Sequence, residues 1–180
     1  TLGTGVGGGI VSHGIFIRGA RSAAGELGQA SIHYEGRKGV YGNLGALEDY
    51  IGNNELAAEA QFAYARKGIE KSLAACQPSE LATAARNGDE IASQIWIDAA
   101  AQLASSLVDC CYLLNPEIIV IGGGVAQAGS LLFDPLQASL ASQLSGPFKD
   151  HLAIVPAQFG NDAGLIGAAR IALEESGICA

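Results

Sequence analysis

The residues best suited to chemistry lie in GELGQASIHYEGRKGVYGNLGALEDY, residues 25–50. Glu26 and Glu48 stand among glycines there, separated by a polar stretch poor in aliphatic side chains. An ionised carboxylate accepts hydrogen bonds and donates none, and it accepts several at once, so such a pair suits a polyol ligand. A solvated surface glutamate is the ordinary alternative. The glycines beside Glu26 and the helix-forming residues around Glu48 tilt the balance toward a ligand.

Two glycine-rich segments offer backbone rather than side chains. Gly3-Thr4-Gly5-Val6-Gly7-Gly8 fits the G-x-G-x-x-G pattern of dinucleotide sites, but that pattern has to open a helix. The next residues, IVSHGIFIR, alternate around Gly14 and read as a β-hairpin. The loop is therefore either an ordinary turn or a cradle whose N–H groups, with the Thr4 hydroxyl, face phosphate oxygens. IIVIGGG, residues 118–124, is an apolar strand running into three glycines and then a helix. That order puts backbone donors at the carboxyl edge of a sheet, where nucleotides commonly bind. A third polar turn, Gly160-Asn161-Asp162-Ala163-Gly164, precedes the last helix, with Asp162 read as its N-cap.

Elements follow from periodicity. Ile91, Ile95, Ala99, Leu103, Leu107 and Cys111 recur every four residues and predict a helix over 89–114, ended by Asn115-Pro116. Shorter helices are expected over 44–52, 55–75 and 79–87, the last closed by Gly88, and further ones over 128–144 and 164–175. Strands are expected at 117–121 and, in LAIVPA, at 152–157. Strands alternating with helices argue for an α/β domain over 1–180 with a largely parallel core sheet, a hairpin at its start and an irregular excursion at 19–45.

Composition narrows the function. The 180 residues are 49% hydrophobic with a net charge of −8, a globular and acidic chain without the clustered Lys and Arg of a nucleic-acid or anionic-membrane surface. No uninterrupted apolar run reaches the ~18 residues that span a bilayer, and no signal-like segment opens the chain. Cys76, Cys110, Cys111 and Cys179 show no paired spacing, which suits reduced core residues of a cytoplasmic protein. His13, His33 and His151 stand apart and are read as structural or exposed. Nothing here resembles a Ser/His/Asp array or a zinc spacing. The chain contains no Met and opens on Thr1-Leu2-Gly3, so a piece of a longer protein is expected.

Taken together and in order, the motifs resemble the ROK (repressor, open reading frame, kinase) family of sugar kinases and sugar-responsive repressors. LGTGVGGGIV looks like its second phosphate loop, and AGELGQ and YGNLGALE like its sugar-binding segments. NPEIIVIGGGVAQAG looks like its adenosine loop and GNDAGLIGAARIAL like its closing turn and helix. The resemblance implies the actin-like, ribonuclease H-like fold, of which this chain would be the C-terminal lobe. It implies a hexose or amino-hexose held by Glu26, Gln29 and Glu48, phosphates against Gly3, Thr4 and Gly5, and adenosine beside Gly123 and Gly124. ATP and magnesium would be cofactors of the full protein, which would be a homo-oligomer. The catalytic base and the magnesium-handling Asp would come from the missing N-terminal lobe, so the chain alone is expected to be inactive.

The family's zinc site departs from its pattern here. Its His and three Cys correspond to Gln29, Gly39, Tyr41 and Ala46, none of which supplies a thiolate or an imidazole. No zinc is expected, and Tyr41 is the candidate to fill the metal's volume. The sugar-sensing domain of a ROK-type repressor is the alternative function.

Overall fold

The computed structural model describes residues 1–176. Its centre is α4, Glu90–Leu114, which starts where Asp89 caps it. The Asp89 carboxylate accepts the N–H groups of Ile91 and Ala92 at 2.9 and 3.0 Å, satisfying donors that a helix start leaves unpaired. The helix stops at Asn115, which turns left-handed at φ 45° just before Pro116. Its buried face runs from Ala92 through Ile95, Trp96, Ala99, Ala100 and Leu103 to Leu107 and Cys111. The alanines let neighbours come close, and α2 (Asn53–Ala65), α3 (Pro78–Arg86) and α5 (Ser130–Gln143) all pack on α4. They bring Leu56, Leu81, Leu132, Leu136 and Leu140, each at most 2% exposed. Full burial of such a side chain contributes about 1.5–3 kcal/mol, so this body carries most of the hydrophobic stabilisation. By length and mean hydropathy alone α4 could cross a bilayer, as the core helix of a soluble protein also can, although polar residues from Gln94 to Asp109 break it into short apolar runs. Its buried face is instead the centre of the protein core.

The alanine-rich helix expected over 55–75 ends at Ala65. Gly68 then turns left-handed at φ 76°, and the return leg lays the Lys71 ammonium over the Tyr64 ring, 3.6 Å from its centroid. The Tyr64 hydroxyl donates to Asp89 Oδ2 at 2.6 Å, joining the end of α2 to the start of α4. The first short helix is only α1, Glu48–Ile51. The helix expected over 128–144 is α5, preceded by a 3-10 turn over Val125–Ala128 and by Gly129 at φ 64°. Asp162 is the third residue of a 3-10 turn that runs directly into α7, Ala163–Glu175, rather than standing before that helix as its cap.

The strands form two small sheets. β1 (Val11–Ser12) and β2 (Ile15–Phe16) make an antiparallel hairpin. Its turn residues His13 and Gly14 both have positive φ, 52° and 76°, as a two-residue turn of matching twist requires. β3 (Ile118–Ile121) and β4 (Ala153–Pro156) run parallel with Ile118 opposite Ala153, connected through α5 and the short α6, Gly146–Lys149. The Leu2 N–H donates to the Gly122 carbonyl at 2.7 Å, so the first glycine loop is anchored at the carboxyl end of β3. Cys76 and Cys111 are buried and Cys110 half-buried, all free, and burial pushes their thiols up. Cys179 lies outside the described residues. The three histidines are exposed.

Candidate functional site

An open cavity of about 420 Å³ lies between the first glycine loop and the two carboxylates, lined by Gly3, Thr4, Gly5, Glu26, Glu48 and Gly123 together with Thr1, Leu2, Val6 and Gly7. Residues more than a hundred positions apart in sequence meet here. Gln29 stands behind Glu48, outside the lining. Gly124, one position beyond Gly123, introduces the 3-10 turn and also lies outside it.

Local backbone explains the cradle. The Gly3 N–H donates to the Gly5 carbonyl at 2.9 Å and Gly7 to Thr1 at 3.0 Å, while Leu2 and Val6 bridge and bury their side chains. Among the described residues no acceptor takes the N–H groups of Thr4 and Gly5, which leaves two donors at the cavity edge, as a backbone anion site requires. The glycines are needed for space. A Cβ on Gly5 would lie 2.2 Å from Glu48 Oε2, and one on Gly123, at φ 93°, would lie 2.2 Å from the Leu2 carbonyl oxygen.

The two glutamates differ. Glu48, the first residue of α1, accepts the Val6 N–H at Oε2 (2.8 Å) and the Gln29 amide at Oε1 (3.3 Å). It thereby joins the glycine loop to the excursion, with acceptor capacity left on both oxygens. Glu26 is exposed, precedes the 3-10 turn Leu27–Gln29 and makes no side-chain hydrogen bond among the described residues. Its carboxylate is open to a ligand.

The excursion is organised differently from the expectation. Tyr41 is 77% exposed and fills no internal volume. The space beside Gly39 is taken by two polar side chains instead: a Cβ there would lie 2.3 Å from Asp49 Oδ2 and 3.2 Å from Asn43 Oδ1. Asn43 also donates its amide to the Gln29 carbonyl at 2.8 Å, and Ala46, 1% exposed, bridges to Ser31. Among the described residues no three His, Cys, Asp or Glu side chains converge so as to hold a metal ion. Val6, Asn43 and Arg37 are contributors that the sequence did not announce. Val6 acts through its backbone, and the Arg37 side chain reaches partners 12 and 22 positions away.

Comparison with known proteins places the chain in a family. The ROK family model matches residues 1–175. A glucokinase of Thermotoga maritima is 32% identical over 98% of this chain and 58% of its own length. An N-acetylmannosamine kinase of Escherichia coli O7:K1 is 32% identical over 97% of this chain and 56% of its own. Among solved structures, a ROK family glucokinase from Streptomyces griseus in complex with glucose and AMPPNP superposes with a TM-score of 0.84 at 29% identity, covering 94% of this chain and 58% of that one. A ROK family transcriptional regulator, a homologue of the E. coli MLC protein, superposes with a TM-score of 0.75 at 27% identity over 86% of this chain and 40% of that one. The chain thus spans less than two thirds of the relatives it matches, and its fold is the actin-like one of the ROK sugar kinases. The match to the family model along almost the whole chain, with the glycine loops and glutamates in one cavity, establishes that this chain belongs to the ROK family.

Proposed function

We propose that the chain is the C-terminal lobe of an ATP-dependent kinase that transfers the γ-phosphoryl group to a hydroxyl of a hexose or amino-hexose. The observation that carries this reading is one cavity lined both by Thr4 and Gly5, whose N–H groups no described acceptor takes, and by Glu26 and Glu48. Phosphoryl transfer depends on positioning and on neutralising charge rather than on covalent chemistry from the protein. In this reading Thr4 and Gly5 take phosphate oxygens, and Gly123 and Gly124 lie beside the nucleoside. Glu26 and Glu48 accept hydrogen bonds from sugar hydroxyls, fixing which hydroxyl points at the donor. Gln29 holds the Glu48 carboxylate in place.

The backbone cradle suits phosphate oxygens, because among the described residues no acceptor takes the N–H groups of Thr4 and Gly5. The chain fits magnesium less well. Both Glu48 oxygens already accept N–H donors, and we assign the metal and the catalytic base to segments that the relatives possess beyond this chain's span. The chain alone is then not a competent kinase.

The regulator among the structural neighbours supports a second reading, a sugar-sensing domain. The unspent N–H groups beside the carboxylates favour the kinase, because a pure sensor needs no phosphate cradle. The experiment is an assay of the full-length protein with hexoses and N-acylated amino-hexoses, with and without ATP. Sugar-dependent ATP consumption is expected; sugar binding without it, together with a helix-turn-helix pattern upstream of Thr1, would overturn the kinase in favour of the sensor. Turnover of glucose by residues 1–180 alone would contradict the division of labour between lobes.

A further inference from the structure

The excursion lacks a core of its own: Tyr34, Val40 and Tyr41 are 80%, 91% and 77% exposed. Its shape comes from backbone bonds, Ile32 to Gly45 at 2.9 Å, Gly45 to Arg37 at 2.7 Å and Leu47 to Ala30 at 3.0 Å. The last of these, with the Gln29 amide on Glu48, ties its base to α1. Arg37 adds a second fastening, which reaches α2 as well. Its backbone N–H donates to the Tyr50 hydroxyl at 3.0 Å, and its guanidinium lies 4.8 Å from the centroid of the same ring. Its Nη1 donates to the Asp49 carbonyl at 3.1 Å, and its Nη2 pairs with the Glu59 carboxylate. Tyr50 and Asp49 belong to α1, which opens on Glu48, and Glu59 belongs to α2.

We propose that Arg37 is a positioning residue of the sugar site, which clamps α1 against α2 and so sets the direction in which Glu48 presents its carboxylate. The inference rests on the sugar-kinase reading of the cavity. An exposed ion pair alone contributes little; the clamp lies in the planar fork, which makes two directed bonds while stacking on Tyr50, a combination that lysine cannot reproduce. The glycine loop, besides its bonds to Glu48 and Asn53, has anchors remote from Arg37, through Leu2 to Gly122 at 2.7 Å and Val125 to Leu2 at 3.1 Å. Arg37 therefore acts on the sugar and leaves the nucleotide almost untouched.

The test compares wild type, Arg37→Ala and Arg37→Lys in the full-length protein by steady-state kinetics. Arg37→Ala is expected to raise the sugar KM roughly tenfold while the ATP KM stays within about twofold, the split that marks lost substrate positioning. Arg37→Lys should fall between the two. A sugar KM unchanged in Arg37→Ala, or sugar and ATP KM rising in step, would overturn the proposal. If Arg37→Ala does not fold, Glu59→Gln carries the test, with a sugar KM raised about threefold; an unchanged value counts against the clamp. A wild type that binds sugar but consumes no ATP defeats the kinase reading instead, and the same variants are then compared by sugar Kd from calorimetry.

Discussion

In the helical body Trp96 and Tyr64 are each 1% exposed and Leu136 is 0% exposed; in the excursion three large apolar side chains stand almost fully in water. The body is held by burial around α4. The site half is held by backbone hydrogen bonds, by one arginine fork and by a carboxylate that joins Val6 to Gln29. The difference teaches where function can change cheaply. Residues in the body set stability, with Leu2 and Val6 of the glycine loop packed into the same core, whereas the glutamates and glycines around the cavity set the direction of donors and acceptors.

The largest expected effect breaks the body. Leu136→Ala should cost about 2–5 kcal/mol, read as a lower denaturant midpoint at unchanged m-value, while Tyr41→Ala should stay within about 0.5 kcal/mol. Equal costs would erase the contrast between the two regions. Gly5→Ala comes next. Its methyl would displace the Glu48 carboxylate, so sugar affinity in the full-length protein should fall at least about tenfold with little change in thermal midpoint. A large fall in stability would place Gly5 with the body.

How far these regions can be read from sequence depends on the same division. The α4 stripe and its Asn115-Pro116 stop are local signals, and the helix lies almost where periodicity puts it. The end of α2 is not local. Alanine-rich sequence continues to 75, yet the chain must turn at Gly68 for Lys71 to reach Tyr64. Among the described residues the expected parallel sheet is confined to β3 and β4, with the Leu2 N–H bonded to Gly122 just past the end of β3. Glu26, Glu48 and the first glycine loop were legible as motifs. The bond from Val6 to Glu48 spans 42 positions and leaves no pattern in either segment. Tyr41 misled because residue volume was weighed without knowing that its side chain points into solvent.

Smaller effects sharpen the comparison at the junction of α2 and α4. Burial by itself would raise the Asp89 carboxyl, but the hydrogen bond from Tyr64, the N–H groups of Ala92 and Ile91 and the Lys71 ammonium together hold it below the usual range. Its contribution is therefore complete above the ordinary Asp value of about 3.9 and is lost as pH falls through the lowered folded value. Asp89→Ala should cost about 1 kcal/mol near neutral pH and flatten the acid limb of the thermal midpoint against pH. An unchanged acid limb would remove Asp89 from the account. Smallest is Lys71→Ala. Its ammonium is held above the usual lysine range chiefly by Tyr64, against partial burial. What it adds is present below that range and fades as pH rises through the folded value. A slight loss of thermal midpoint at pH 7 that vanishes in strong alkali is expected, and a loss persisting there would deny the Lys71 charge its role.

The central claim, that this cavity holds a sugar through carboxylate acceptors, is tested most directly by Glu26→Gln in the full-length protein, because among the described residues Glu26 makes no side-chain bond whose loss would confuse the result. The measurement is sugar-dependent ATP consumption with sugar and ATP varied separately. The account predicts a sugar KM raised about tenfold or more, the worth of a hydrogen bond to a charged acceptor, with the ATP KM within about twofold. A sugar KM indistinguishable from wild type would contradict it.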